Sequence, residues 1–181
     1  EFPPKTRYIC HAPFSWIAFT AYSLFILAVV IPLIIKAIEP LKQVKNKNLI
    51  TRTFPWWGWL GIITGTASWI LAWTRFPWFV RFQPHTFTPL WISFIIVVNA
   101  LNHRNTGKCM MIDRPRFFLM LFPTSAAFWW FFEYLNRFVQ NWSYTGVNYS
   151  PWEYFCYASI SFSTVLPAVL GTREWLAGAL W

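Results

Sequence analysis

A largely apolar and aromatic stretch, FWWFFEYLNRFVQNW at positions 128 to 142, contains four polar side chains at helical spacing. They are Glu133, Asn136, Arg137 and Gln140. Their spacing of i, i+3, i+4 and i+7 places them on one face of a helix. Charged residues in a membrane helix usually face the bundle interior or a watery cavity. Two interpretations stay open: Glu133 and Arg137 form an ion pair that holds helices together, or this face binds a ligand or takes part in catalysis.

Glu153 is a second acid near the same end of the predicted bundle, in SPWEYFCY at positions 150 to 157. Ser150 and Pro151 are typical of a helix N-cap followed by proline, and the helix dipole favours an acid in the first turn. This explains Glu153 without any function. The loop before Ser150 is short, so Glu133 and Glu153 both lie toward one membrane surface. Two carboxyl groups near an aromatic site can act as catalytic acid and base.

Aromatic and histidine residues extend this candidate site beyond one helix face. The loop NWSYTGVNYS, at positions 141 to 150, carries no charge and is rich in aromatic and amide side chains. His85 lies at the same end, before the third apolar segment. The predicted ligand-binding residues are Arg137, Asn136, Gln140, Trp142, Tyr144 and His85. His85 and His11 can meet at that surface, but no histidine pair at i, i+4 supports a metal centre, and no metal site is predicted.

Three pieces of sequence follow one another across this region. They are Glu133, then Trp142-Ser143-Tyr144, then Pro151-Trp152-Glu153-Tyr154-Phe155. Over residues 133 to 157 this arrangement resembles the small membrane-embedded lycopene cyclases of carotenoid synthesis, whose P-x-E-E motif has a second acid where Tyr154 stands here. The resemblance implies acid-catalysed cyclisation of a linear isoprenoid without net redox change. A protonated carboxyl group would start the reaction and ring faces would stabilise the carbocation.

The composition of the chain indicates that lipid surrounds these residues. Of 181 residues, 56% are hydrophobic and 12% are charged, against roughly 45–50% and 25% in soluble proteins. The chain has 14 Trp and 19 Phe, more large rings than so few charges can keep in water. The net charge is +9, but the basic residues lie between apolar runs and form no continuous stripe. Nucleic acid is therefore not expected as a partner.

Five apolar segments approach the length of about 20 residues that a membrane helix needs. They span residues 14–35, 56–73, 86–101, 117–138 and 152–170, and residues 174–181 have the composition of a further apolar segment at its start. None shows the ten-residue alternation of a β-barrel strand. We therefore predict one all-α domain over residues 1–181, a polytopic membrane bundle of at least five transmembrane helices.

The Lys and Arg residues indicate how this bundle is oriented. The first and third loops, residues 36–55 and 102–116, carry more basic residues than the loops on the opposite side. Since basic loops stay in the cytoplasm, we predict that these two loops are cytoplasmic and that the N-terminus is outside.

Three functions fit this predicted architecture. The leading hypothesis is an integral membrane subunit or accessory protein that packs against partner helices or lipophilic cofactors. Its candidate ligands are a carotenoid, a quinone or a lipid. Its expected partners are membrane lipids and other membrane subunits. The second hypothesis is an enzyme that acts on a lipophilic isoprenoid, with Glu133 and Glu153 as the catalytic acid and base. The third is a small transporter, which ranks lower because no two matching broken helices are evident.

Overall fold

The computed structural model describes residues 13–43, 52–144 and 149–180, and in these ranges the chain is helical, with no strand. This confirms the predicted all-α class. Two single-turn 3-10 helices, Pro77–Phe79 and Gln83–His85, lie in the loop between the second and third helices. The α-helices in chain order are α1 (Trp16–Gln43), α2 (Trp56–Trp73), α3 (Phe87–Thr106), α4 (Met110–Asp113), α5 (Pro115–Val139), α6 (Pro151–Ser163) and α7 (Val165–Leu180).

Three helical segments of the described chain are long and apolar enough to cross a membrane. They are Trp16–Ile35, Gln83–Thr106 and Pro151–Ala177, of 20, 24 and 27 residues. The helices α2 and α5 have 18 and 25 residues, but tryptophan-rich and polar stretches lower their hydropathy. The structure thus supports membrane integration through three segments.

Small residues bring α2 and α3 into close contact. A Cβ atom on Gly58 would lie 2.5 Å from the Cβ of Ala100, and one on Gly61 would lie 2.8 Å from Ile96. Glycine at these positions therefore allows the two backbones to approach, as is common between membrane helices. A hydroxyl contact of 3.0 Å between Thr64 and Ser93 crosses the same interface. This packing fixes α3, which forms one wall of the candidate site.

The predicted fifth helix, residues 152–170, is divided into α6 and α7 at Thr164. Pro167 has no N–H group to donate to the carbonyl of residue 163, which explains a break at this point. Ser125 of α5 fills the gap: its Oγ donates to the Phe162 carbonyl at 2.5 Å and accepts from the Leu166 N–H at 3.0 Å. One serine thus satisfies a carbonyl and an N–H that would otherwise pair within one helix.

The other helix boundaries differ from the predicted ones in a few places. The bounds of α2 agree with the prediction of 56–73, and α1 continues beyond residue 35 to Gln43. The helix α3 runs on to Thr106, where Gly107 with φ 76° ends it in the left-handed conformation typical of a helix C-terminus. Residues 174–180, expected to begin a further segment, are the end of α7, and residue 181 lies outside the described residues.

A group of polar residues joins α3, α4 and α7 at the start of α5. We call it the Glu174 network, and its side chains are Asn99, Asn102, Arg114 and Glu174. One Glu174 oxygen accepts from the Met110 N–H at 3.1 Å and from the Asn102 amide at 3.5 Å. The other accepts from Arg114 at 2.9 Å. The Asn99 amide oxygen accepts from the Met111 N–H at 3.1 Å, so α4, absent from the predicted elements, is held by side chains of α3 and α7.

Candidate functional site

Glu133 lies near the C-terminal end of α5 and is only 3% exposed. Its Oε1 accepts a hydrogen bond from the Trp142 indole N–H at 3.0 Å and another from the Tyr144 hydroxyl at 2.5 Å. The second distance is in the range usual for a hydroxyl that donates to a carboxylate. A buried acid therefore has two neutral aromatic donors, both from the loop that follows α5.

Asn136 holds this loop in place one turn after Glu133. Its amide nitrogen donates to the Trp142 carbonyl at 2.9 Å, and its amide oxygen accepts from the Trp142 N–H at 3.3 Å. Gln140 ends α5 in the left-handed region with φ 49°, which turns the chain back toward the helix. The two residues together place the rings of Trp142 and Tyr144 over Glu133. We call Glu133, Asn136, Trp142 and Tyr144 the Glu133 cluster.

The Tyr144 hydroxyl retains its proton in this setting. Burial raises the pKa of Tyr144 well above the usual range of tyrosine, and the hydrogen bond to Glu133 raises it further. Both effects act in the same direction because a phenolate would lose its hydration and would face a carboxylate. Tyr144 is therefore a stable hydrogen-bond donor to Glu133.

A cavity of about 760 Å³ lies between α3 and α6, next to the Glu133 cluster. Its volume is within the range of roughly 300–1,000 Å³ that is typical of small-molecule sites. Most of the residues that line it are aromatic or aliphatic. They are Pro84, His85, Phe87, Thr88, Trp91, Trp129, Tyr144, Tyr149, Tyr154, Tyr157, Ala158, Ile160, Ser161, Phe162 and Val165.

Rings in contact with one another form one end of the cavity. The His85 ring lies 4.5 Å from the Tyr157 ring and 6.0 Å from the Tyr149 ring, measured between centroids. On the other side, the Tyr144 ring lies 6.2 Å from that of Tyr154. Each of these residues also carries a polar atom, so this end of the cavity combines flat apolar faces with groups that can form hydrogen bonds.

Tyr144 connects the cavity with the buried acid. Its ring lines the cavity, while its hydroxyl donates to Glu133. Glu133 itself is not among the lining residues, so the carboxylate stands one side chain behind the cavity wall. A group bound in the cavity would therefore contact Tyr144, and it would interact with Glu133 only through the Tyr144 hydroxyl.

The structure brings several of the predicted site residues together. Glu133, Asn136, Trp142 and Tyr144 form one cluster, and His85 and Tyr144 both line the cavity. Gln140 is buried at the end of α5, whereas the Arg137 side chain is exposed.

Glu153 is exposed and lies outside the cavity lining. It forms a capping box at the start of α6: its side chain accepts from the Ser150 N–H at 2.9 Å, and its own N–H donates to the Ser150 hydroxyl at 3.3 Å. This confirms the N-cap that the sequence predicted. The carboxyl groups of Glu133 and Glu153 therefore do not share the cavity wall, although both belong to the same end of the molecule.

Several lining residues did not figure in the predicted site. Tyr154, Tyr157, Ser161 and Val165 lie at intervals of three to four residues along α6 and α7, which is the spacing of one helix face. That pattern is visible in the sequence, but it does not distinguish a cavity wall from a face packed on another helix. Trp129 and Trp91 come from two further helices, so their position depends on tertiary packing.

Comparison with known proteins adds no assignment to this site. None of the protein-family models, curated proteins or solved structures that were compared with the chain gives a significant match. Within the described residues there is also no group of three or more His, Cys, Asp or Glu side chains that could hold a metal ion.

Proposed function

We propose that this chain is an integral membrane protein that binds a lipophilic molecule in the cavity between α3 and α6, and that it acts as an accessory subunit of a membrane complex. The observation that carries the proposal is the aromatic cavity bordered by Tyr144, whose hydroxyl is bonded to the buried acid Glu133. Ionisable residues buried in membrane helices are usually functional, because burying them has a cost.

The place of the cavity in the fold favours a lipophilic ligand. Its main walls come from the two apolar segments Gln83–Thr106 and Pro151–Ala177, each long enough to cross a bilayer. A molecule dissolved in the membrane would reach such a wall without passing through water. Rings that line the cavity suit a carotenoid, a quinone or another lipid, because flat conjugated ligands stack well on aromatic faces.

The helix α1 supports the subunit part of the proposal. Its apolar window, Trp16–Ile35, has none of its residues buried against the rest of the described chain. A polytopic bundle of five or more spans would leave this helix at its edge, where a transmembrane helix of a partner subunit packs against it. In this arrangement residues 36–55 and 102–116 are cytoplasmic and the N-terminus is outside.

The second candidate function is acid-catalysed cyclisation of a linear isoprenoid, as the resemblance to lycopene cyclases implies. The buried Glu133 behind the aromatic cavity wall favours it, because a protonated Glu133 could pass a proton by way of the Tyr144 hydroxyl to a double bond, and ring faces could stabilise the carbocation. Loss of a proton from the product would return the acid to its starting state. In a strain that makes lycopene, Glu133→Gln would abolish cyclic products under this hypothesis, whereas unchanged pigment composition would contradict it.

Native mass spectrometry after mild detergent extraction tests the leading proposal. Ala158 lines the cavity and Ala127 is exposed on α5 away from it, so Ala158→Phe fills the cavity and Ala127→Phe is the matched control. We expect wild type and Ala127→Phe to retain a lipophilic molecule and Ala158→Phe to lose it. Equal retention by all three variants, or no bound molecule in any of them, would refute a cavity ligand. Recovery of the chain with larger partners would support the subunit role, and a functional monomer would refute it.

A further inference from the structure

The Tyr144 oxygen is a hydrogen-bond acceptor at the wall of the cavity. A phenolic hydroxyl has one hydrogen to donate and two lone pairs to accept with. The single hydrogen of Tyr144 is committed to Glu133 at 2.5 Å. Because this hydrogen is bonded to Glu133, the Tyr144 oxygen can only accept a hydrogen bond from a ligand. A ligand group that donates a hydrogen bond is therefore favoured at Tyr144.

Trp129 supplies the complementary group on the same wall. Its indole nitrogen is buried and has no hydrogen-bond partner among the residues that the structure describes, although its side chain lines the cavity. Tyr144 lines the same cavity. An indole can only donate, and a buried donor without an acceptor is unfavourable. The group that Trp129 prefers is an acceptor.

We infer that the cavity selects a lipophilic ligand that carries a hydroxyl group, which donates to the Tyr144 oxygen and accepts from the Trp129 N–H. This inference rests on the proposed function, since it requires that the cavity binds a lipophilic molecule. A hydroxyl is the smallest group that satisfies both residues. A carbonyl or an ether can accept from Trp129 but leaves Tyr144 without a donor, and a hydrocarbon satisfies neither.

The rest of the cavity matches the apolar body of such a ligand. Along α6 and the start of α7 it extends from Tyr154 to Val165, roughly 16 Å at about 1.5 Å per helical residue. Beyond the hydroxyl end, the walls are mainly hydrocarbon and ring faces from Trp91, Ile160 and Phe162. The ligand class is therefore an alcohol with an extended apolar body, such as an isoprenoid alcohol.

Two probes that differ only at the hydroxyl test this inference without any mutation. All-trans-retinol can donate and accept, whereas its methyl ether keeps the acceptor oxygen and loses the donor. Both absorb where tryptophan emits, so energy transfer from the tryptophans of the protein measures binding of each in detergent micelles. We expect retinol to bind about tenfold more tightly than the ether, the effect of one hydrogen bond lost at a buried site.

Variants of residues that line the cavity show which side chains cause the preference for retinol over its ether. Tyr144→Phe removes the acceptor and should bring the affinity ratio of the two probes close to one, with little change for the ether. Trp129→Phe removes the donor that both probes use and should weaken both by a similar factor. Tyr157→Phe is the matched control, because Tyr157 lines the cavity next to His85 and not next to Glu133, and it should keep the wild-type ratio.

The outcomes separate this inference from the proposed function. If retinol and its ether bind wild type equally well, the cavity binds lipophilic molecules but the hydroxyl selectivity is refuted. If neither probe binds, both the cavity ligand and its hydroxyl are refuted. If Tyr157→Phe removes the preference and Tyr144→Phe leaves it, the hydroxyl lies elsewhere in the cavity and the assignment to Tyr144 and Trp129 is overturned.

Discussion

Glu133, near the end of α5, and Glu174 of α7, which lies near the start of α5, have different hydrogen-bond partners. Glu174 accepts from a backbone N–H, from the Asn102 amide and from the charged Arg114 side chain, so it joins α3, α4 and α7 at the start of α5. Glu133 accepts from two neutral aromatic side chains of one loop, and one of these, Tyr144, lines a large cavity.

The difference shows which of the two acids has its role fully explained by the fold. Removing Glu174 would leave the Met110 N–H without its acceptor and Arg114 without its ion-pair partner, which is reason enough for its presence. Removing Glu133 would leave two aromatic side chains of one loop without their hydrogen-bond acceptor. Burying this acid at 3% exposure costs free energy of folding. We therefore propose that the Glu133 cluster serves the ligand site and that the Glu174 network stabilises the fold. Substitutions at both acids and at their neighbours test this division.

Glu174→Ala should destabilise the protein most, by about 2–4 kcal/mol, because it leaves the Met110 N–H without its acceptor and Arg114 without its ion-pair partner. The Asn102 amide also loses one of its two acceptors and keeps the Gly171 carbonyl. Reversible unfolding in mixed micelles measures this free energy. Arg173→Ala, at the exposed neighbouring position, is the control and should change it by less than about 0.5 kcal/mol. Equal effects of the two substitutions would show that the Glu174 network is not a structural centre.

Asn136→Ala should cost about 1–2 kcal/mol, because two backbone groups of Trp142 lose their partner. It should also reduce ligand occupancy, since the loop no longer holds Tyr144 at the cavity wall. Unfolding and native mass spectrometry of the same sample report the two effects. The control is Asn141→Ala, at an exposed position of the same loop. A destabilised variant that keeps full ligand occupancy would show that the position of this loop does not affect ligand binding.

Glu153→Ala should lower the free energy of unfolding by less than Asn136→Ala does, through the loss of the capping box of α6, and ligand occupancy should not change. Glu153→Gln keeps the hydrogen-bonding pattern of the box and should be close to wild type in unfolding measurements. This pair tests whether Glu153 is catalytic or structural. Loss of ligand occupancy or of any isoprenoid turnover in Glu153→Gln would indicate that Glu153 belongs to the functional site.

The smallest effect is expected for coupling between Glu133 and Arg137, the alternative in which these residues form a structural ion pair. Arg137 is exposed, and exposed charge pairs contribute at most about 1 kcal/mol. In a double-mutant cycle of Glu133→Ala and Arg137→Ala, we expect the two unfolding free energies to add within about 0.5 kcal/mol. A larger coupling energy would favour the ion pair over the ligand site.

Features set by neighbouring residues could be predicted from the sequence. The bounds of α2, the shared face of Glu133 and Asn136 and the N-cap of α6 depend on spacing within one or two turns, and the structure has all three. The loop that carries Trp142 and Tyr144 lies next to Glu133 for the same reason, because only about ten residues separate them in the sequence.

Features that depend on distant residues could not be predicted. The break between α6 and α7 requires Ser125, which is 37 residues from the Phe162 carbonyl that it binds. The contact of Met110 with Glu174 spans 64 residues. The cavity likewise joins α3 to α6, and a pattern within either helix cannot show whether its aromatic face packs on another helix or lines a space.

Native mass spectrometry of Glu133→Ala and Glu174→Ala, measured side by side, shows whether Glu133 serves the ligand site and Glu174 the fold. With ligand occupancy expressed per folded molecule, we expect Glu133→Ala to lose most of the bound lipophilic molecule while folded protein stays abundant. We expect Glu174→Ala to yield less folded protein, which keeps its ligand. Full occupancy in Glu133→Ala, or loss of ligand from folded Glu174→Ala alone, would contradict this division.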